Sequence, residues 1–342
     1  MIRVFGPNDR DFTSNGDCVI QPYKAKVIEQ DNGDFYLDLE CSSEYSDYIK
    51  AENLLVVDLP KKTPQAFRIL NYEKTGDIIS LRAWHVFYDA KNCFINTCYI
   101  FDAYCPYALL RLTHTVYPNI FTLWTNVYNT KASYHCVRKS LYEALQVVLD
   151  RWGGHLVRDN FRVNIYDSIG SDNGISIRYR KDIKKLTSGE DWDDVVTELY
   201  PVGKDGVMLN DLQPADSPKL VSKHEYFMPF VKTVSFQQDI DEAKINDKDI
   251  YNHMLYDDLR GQATTYLAKH SVPYVNYTLN AEVNNELSIG DTVRVIDERI
   301  GANLLTNVIS YEYDCIRECY ARIEFGNKKK SLSGFGYQLK RR

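Results

Sequence analysis

Leu54-Leu-Val-Val-Asp-Leu59 and, beyond the break from Pro60 to Pro64, Phe67-Arg-Ile-Leu-Asn-Tyr-Glu73 decide the fold, because the pair occurs twice. Val293-Arg-Val-Ile-Asp297 and Val308-Ile-Ser-Tyr-Glu312 repeat it at one shift, since 293 − 54 and 311 − 72 are both 239. Leu54, Val56 and Asp58 fall on Val293, Val295 and Asp297. Ile69 and Leu70 fall on Val308 and Ile309, and Tyr72-Glu73 on Tyr311-Glu312. From the aspartate to the tyrosine is 14 residues in each copy (72 − 58 and 311 − 297). The unit described is a strand, an outward turn and a second strand that ends in Tyr-Glu before a hairpin. An internal repeat governs the reading of everything around it. Two similar β domains with helical material between them are the organisation it predicts.

Working outward, the residues before Asp89 read as strands and turns. Phe35-Tyr-Leu-Asp-Leu-Glu-Cys41 alternates apolar and polar after the turn Asp31-Asn-Gly-Asp, and Ile78 to Tyr88 pairs with Phe67 to Tyr72 across Lys74-Thr-Gly-Asp77. Cys105-Pro-Tyr-Ala-Leu-Leu carries proline near a first turn, the mark of a helix start. Val137, Leu141, Leu145, Val148 and Trp152 recur at helical spacing and Gly153-Gly154 stops them. Strands return at His155 to Arg158 and at Phe161 to Tyr166. A further helix starts near Asp247, with Ile250, Met254, Tyr266 and Leu267 on its stripe, a break at Gly261 and an end at Pro273. Lys328-Lys-Lys and Lys340-Arg-Arg frame a Ser/Gly-containing tail, expected to be flexible.

Composition narrows the function. The chain has 342 residues, enough for two or three domains, with 44% hydrophobic and 26% charged residues, the balance of a globular protein. With 41 Lys and Arg against 47 Asp and Glu the net charge is −6, which argues against a dedicated nucleic-acid binder. No apolar run approaches the ~20 residues of a membrane-crossing helix, and the first residues lack a signal-peptide core. The 26 tyrosines against 14 phenylalanines favour half-buried strands and interfaces. Eight cysteines, at 18, 41, 93, 98, 105, 136, 315 and 319, include no CxxC pair, so reduced, buried thiols are expected rather than a zinc site.

No catalytic constellation emerges. His224-Glu225 opens like a zincin helix, but position 228 is Met. His253 and Asp257 fit a solvated helix pair. Asp191-Trp-Asp-Asp194 fits a capped turn before a strand better than a split acid and base. Cys136 beside His135 has the wrong geometry for a nucleophile and its base. His85 sits in strand periodicity. Gly334-Phe-Gly336 lacks the rest of a dinucleotide fingerprint. Catalytic, cofactor-binding and metal-binding residues are therefore all expected to be absent, and no cofactor is expected.

Four segments in order carry a resemblance: Ala83-Trp-His-Val-Phe-Tyr-Asp89, Gly170-Ser-Asp-Asn-Gly-Ile-Ser-Ile-Arg-Tyr179, Asp191-Trp-Asp-Asp-Val-Val-Thr-Glu-Leu-Tyr-Pro-Val-Gly203 and Leu287-Ser-Ile-Gly-Asp-Thr-Val-Arg-Val-Ile-Asp-Glu-Arg299. Together they resemble the prophage tail endopeptidase family, tail-associated proteins of long-tailed phages of Gram-positive bacteria, similar in fold to baseplate hubs. The resemblance implies an α+β, β-rich chain with two small antiparallel β-barrels and an inserted lateral domain. By that analogy residues 1–98 form the first barrel, 178–223 with 275–327 the second, 99–177 with 224–274 the lateral domain, and 328–342 a basic tail. It further implies a homotrimer of pseudo-sixfold symmetry at the virion tail tip, made in the host cytoplasm. Its expected partners are the distal tail, tube or tape-measure proteins and receptor-binding proteins, without sequence-specific DNA binding or membrane insertion. The family label also implies peptidase activity, for which this sequence offers no residues. Longer relatives carry fibre or wall-degrading extensions, which here are expected to be separate proteins. The alternatives are a wall endopeptidase built from dispersed residues such as His85 or Asp193, and a receptor- or carbohydrate-binding module using the tyrosines.

Overall fold

The computed structural model describes residues 1–178, 183–240, 242, 245, 247–283, 286–297 and 302–326; the basic tail lies outside them. The first half opens with strands β1 (Ile2–Phe5), β2 (Cys18–Ile20), β3 (Lys24–Gln30), β4 (Phe35–Ser42), β5 (Leu54–Val57), β6 (Gln65–Thr75) and β7 (Ile78–His85). β3 and β4 alternate buried and half-buried positions, as a sheet with one face on a core requires. Phe35, Leu37, Leu39, Phe67, Ile69 and Ala83 fill that core.

A middle section follows. β8 (Phe94–Tyr104), helix α1 (Cys105–Thr115), β9 (Val116–Tyr117), β10 (Thr122–Thr125), β11 (Lys131–Ser140), helix α2 (Leu141–Trp152), β12 (His155–Asp159) and β13 (Arg162–Tyr166) build two three-stranded sheets, β11-β8-β9 and β10-β13-β12. Proline stands in the first turn of α1, as expected. α2 starts later than its apolar spacing suggests. Ser140 and Glu143 form a reciprocal capping box, so Val137 belongs to β11 and is exposed.

The second half holds β14 (Asp172–Arg178), β15 (Ile183–Asp191), β16 (Glu198–Val202), helix α3 (Leu209–Leu212), β17 (Leu220–Val221), β18 (Val231–Ser235), helix α4 (Lys248–His270), β19 (Tyr274–Val283), β20 (Thr292–Asp297), β21 (Ala302–Asp314) and β22 (Cys319–Gly326). α4 is capped by Asp247, whose side chain accepts the N–H groups of Asp249 and Ile250, and it runs through Gly261 without a break. Its buried stripe is Tyr251, Leu255, Leu259, Ala263 and Leu267. Ile250, expected inside, is exposed. β16, β17 and β18 make a sheet of their own under α4, packed through Val196, Leu199, Ala263 and Leu267.

The remaining strands form one 13-stranded sheet, ordered β15-β19-β22-β21-β3-β4-β7-β6-β5-β1-β2, with β20 on β21 and β14 on β20. Its two halves match strand for strand: β3-β4-β7-β6-β5-β1 against β15-β19-β22-β21-β20-β14. The ladders agree residue by residue. Leu37 and Leu39 oppose Ala83 and Leu81, which oppose Ile69 and Tyr72. Tyr277 and Leu279 oppose Phe325 and Ile323, which oppose Val308 and Tyr311. A bulge sits at Ile69/Asn71 in one half and at Val308/Ser310 in the other, again 239 apart. The doubling read from the sequence thus has a structural counterpart.

Three details differ from the expectation. Leu55 opposes Phe67 as Val293 opposes Thr306, so the shorter strand is offset by one and Asp58 does not correspond to Asp297. β1 runs antiparallel to β5, whereas β14 runs parallel to β20. The halves are also not closed barrels among the described residues. Closure needs the end strands of each half to pair, and instead β3, the end strand of the first half, gives its outer edge to β21, carrying one sheet through both halves.

Candidate assembly surface

The residues examined for chemistry lie apart and are occupied structurally. His85 is wholly buried. Its ring stacks on Phe35 with centroids 4.4 Å apart, Nε2 lies 3.0 Å from Gln65 Oε1, and Nδ1 accepts the Phe87 N–H. Burial first, then Arg158 and Lys62, push its pKa well below 6.5, so it is a neutral core side chain. Asp191 Oδ1 accepts the N–H of Asp193, and the cluster closes the turn after β15. His253 and Asp257 are an exposed i,i+4 pair on α4, 3.4 Å apart. His224 lies in a loop, its N–H donated to Ser222 Oγ. His135 and Cys136 occupy successive positions of β11, on opposite faces: Cys136 is buried and His135 faces Thr97. None of the eight cysteines is in a disulfide and seven are buried, and burial pushes the Cys41, Cys93 and Cys105 thiols up to about 11. Among the described residues no three His, Cys, Asp or Glu side chains gather as metal ligands, and no helix is long and apolar enough to cross a membrane.

A buried polar cluster lies instead at the seam where the halves join. β21 pairs antiparallel with β3, Tyr311 opposite Glu29 and Tyr313 opposite Val27. Glu29 is buried; it takes Lys62 Nζ at 2.5 and 2.7 Å and the Tyr311 hydroxyl. Burial alone would raise its carboxyl, but Lys62 and Arg158 outweigh that and hold it below its ordinary value. Arg158, also buried, donates to the carbonyls of Gly33 and Gln30. At the rim Lys26 Nζ meets Glu312 at 2.6 Å. Asp291 receives Lys61 Nζ at 3.0 Å and the N–H groups of Ser171 and Ser288. Burial opposes its charge, yet these donors keep its pKa below the ordinary carboxylate. The arrangement can fasten two β units with fixed register.

The Tyr-Glu repeat is legible in the sequence, but its role is not. The signal was the tyrosine itself, which in the second half is buried against a glutamate and in the first half is exposed. An aromatic ledge of half-buried Tyr99 and exposed Phe101, Tyr104 and Tyr107 lies elsewhere along β8 and α1, with Tyr99 and Phe101 stacked.

Residues 171–335 match the family model described as prophage endopeptidase tail. No curated protein sequence matches the chain. Among solved structures it is similar to prophage tail protein gp18 from Listeria monocytogenes EGD-e, at 14% identity and TM-score 0.64, covering 96% of this chain and 95% of that one. It is similar to the 43 kDa tail protein of prophage MuSo2 from Shewanella oneidensis, at 12% identity and TM-score 0.65, covering 95% and 97%. The E. coli c3393 protein, described as a type VI secretion component structurally similar to T4 tail proteins gp27 and gp5, matches at 8% identity and TM-score 0.51, covering 95% and 76%. At these identities the likeness is one of fold. The fold occurs in tail proteins from both Listeria and Shewanella, so it singles out no class of host. The names are those of tail and secretion components, and the word peptidase enters only through the family's description.

Proposed function

We infer that this chain, a phage tail protein whose second half carries the prophage endopeptidase tail family, is a hub at the tail tip that assembles as a trimer. The coarse role, a structural component of a phage tail rather than an enzyme, is supported by the fold shared with prophage tail proteins and by the tail family match. The finer role rests on one observation: the sheet is built twice, strand for strand, with a bulge at the same place in each half. A ring of three such chains presents six similar β units. That reconciles threefold subunit number with a sixfold tube through alternating, nearly equivalent surfaces.

In this reading residues 1–98 and the second-half sheet strands are the ring units, each barrel-like in the assembled ring. Residues 99–177, apart from β14, which pairs with β20, and residues 224–274 project laterally; β16 and β17 go with them, because they share a sheet with β18. The neighbours would be tail-tube, distal-tail or tape-measure proteins on one side and receptor-binding proteins on the other. The net charge of −6 suits a lining past which DNA slides without sticking. A second reading, a receptor- or glycan-binding module, is favoured only by the aromatic ledge on β8 and α1; a glycan screen in which Tyr104→Ala abolishes a signal would support it.

Co-expression with the neighbouring tail proteins, followed by native mass measurement, tests the hub. Three copies per complex are expected. Two, four or six copies overturn the reading.

A further inference from the structure

The seam inside the chain also shows what its unpartnered edge is built to meet. On one side β6 pairs with β5 over residues 65–68 only, and beyond the bulge the strand continues from Asn71 to Thr75 with its outer edge unpaired among the described residues. In β21 the corresponding stretch is the one that takes β3. Exposure follows the pairing. Ile309 and Tyr311 are 7% and 4% exposed, whereas Leu70 and Tyr72, their counterparts, are 38% and 47% exposed. A long edge strand carrying bare apolar side chains invites a further strand.

The ladders also identify that strand. β3 opposes β4 through Val27–Leu37 and Ala25–Leu39, and β15 opposes β19 through Ser188–Tyr277 and Leu186–Leu279. Leu37 and Tyr277 are equivalent, as are Leu39 and Leu279, so β15 stands in the second half where β3 stands in the first. It is the terminal strand of the sheet, its other edge unpaired among the described residues. Two residues beyond Val27 is Glu29; two beyond Ser188 is Glu190. The glutamate that receives the Tyr311 hydroxyl therefore has a glutamate counterpart.

We propose that β6 of one copy pairs antiparallel with β15 of the next copy, in the register that β21 makes with β3. The proposal rests on the trimeric reading and supplies its interface. Tyr72 lies opposite Glu190, Glu73 opposite Gly189 and Thr75 opposite Thr187, and the Tyr72 hydroxyl donates to Glu190 as Tyr311 does to Glu29. Three internal seams and three seams between copies alternate around the ring. The second kind is the less charged. Glu190 receives the Trp192 indole N–H at 3.2 Å where Glu29 has Lys62, and Thr187 replaces Lys26 opposite the hairpin end. The seam between copies is accordingly the weaker, as suits a chain that must be made before it is assembled.

The test uses two full-length variants, Thr75→Cys and Thr187→Cys, mixed and co-assembled with the neighbouring tail proteins, then oxidised mildly. The Asp31 N–H reaches the Ile309 carbonyl and the Cys315 N–H that of Ala25, so odd-numbered residues of β21 turn their peptide groups to β3. Thr75, equivalent to Asp314, is then at a non-hydrogen-bonded pair, where Cα atoms lie about 4.5 Å apart and a disulfide closes without strain. A disulfide-linked pair is expected in the mixture and lost when either variant is oxidised alone, because the contact joins unlike edges. Moving one cysteine to Lys74→Cys, on the other face, abolishes it. Native mass is read in parallel. Three copies without the cross-link overturn the ladder and leave the trimer standing. The cross-link with another stoichiometry supports the ladder and overturns the closed ring. Neither three copies nor cross-link overturns both.

Discussion

Glu29 shows how one residue holds two halves of a chain together. Its carboxylate is buried, and it keeps its charge because Lys62 and Arg158 face it and the Tyr311 hydroxyl donates to it. Removing one member of a buried pair leaves the other uncompensated, so Glu29→Gln should lower stability at pH 7 by on the order of 3 kcal/mol. The pH dependence has a definite sign. A carboxyl whose folded pKa lies below its ordinary 4.5 contributes stability that is fully present above 4.5 and is lost as pH falls through the folded value. The gap between wild type and Glu29→Gln, followed by thermal melting, should thus be constant above pH 5 and shrink in acid. A gap unchanged down to pH 2 would show that the charge does nothing there. At this scale the sequence was informative about identity and silent about environment. Tyr72-Glu73 and Tyr311-Glu312 are the same dipeptide, and only the ladder reveals that one tyrosine is covered and the other bare.

At the scale of elements, strands with one buried face announced themselves by alternation, as β3, β4 and the β6–β7 hairpin did. Elements buried all round hid their register. β5 is apolar at every position, so nothing in Leu54-Leu-Val-Val57 said which residue matched Val293, and the pairing inferred from the aspartates missed by one. Helix ends fell to capping rather than to apolar spacing, which is why Ser140 begins α2 and not Val137. Close approaches of backbone were also invisible. Gly170 sits at φ +81° against Gly290, and a Cβ there would lie 2.0 Å from the Gly290 carbonyl carbon. Gly174, at φ +68°, has open space. Gly174→Ala should cost only the ~1–2 kcal/mol of the left-handed backbone. Gly170→Ala must in addition push apart the loops that carry Ser171 and Asp291. Chemical denaturation of the two variants checks this; equal losses would mean that the crossing is slack.

For the whole molecule, the doubling was readable because a repeat at fixed spacing survives where its individual residues do not. Two features were not. The merging of both halves into one sheet depends on β21 meeting β3, residues far apart in the chain whose pairing no local pattern encodes. The small sheet under α4 is assembled from strands of two to five residues, too short to show a period. The central claim is that a chain folded twice over lets three copies present six equivalent units to a tail tube. Electron microscopy of the co-assembled tail tip, with the rotational order of the ring determined without imposed symmetry, tests it most directly. Six similar densities from three chains, with the lateral domains repeating only threefold, are predicted; a ring whose inner densities repeat threefold alone, or whose subunit number is not three, would contradict it.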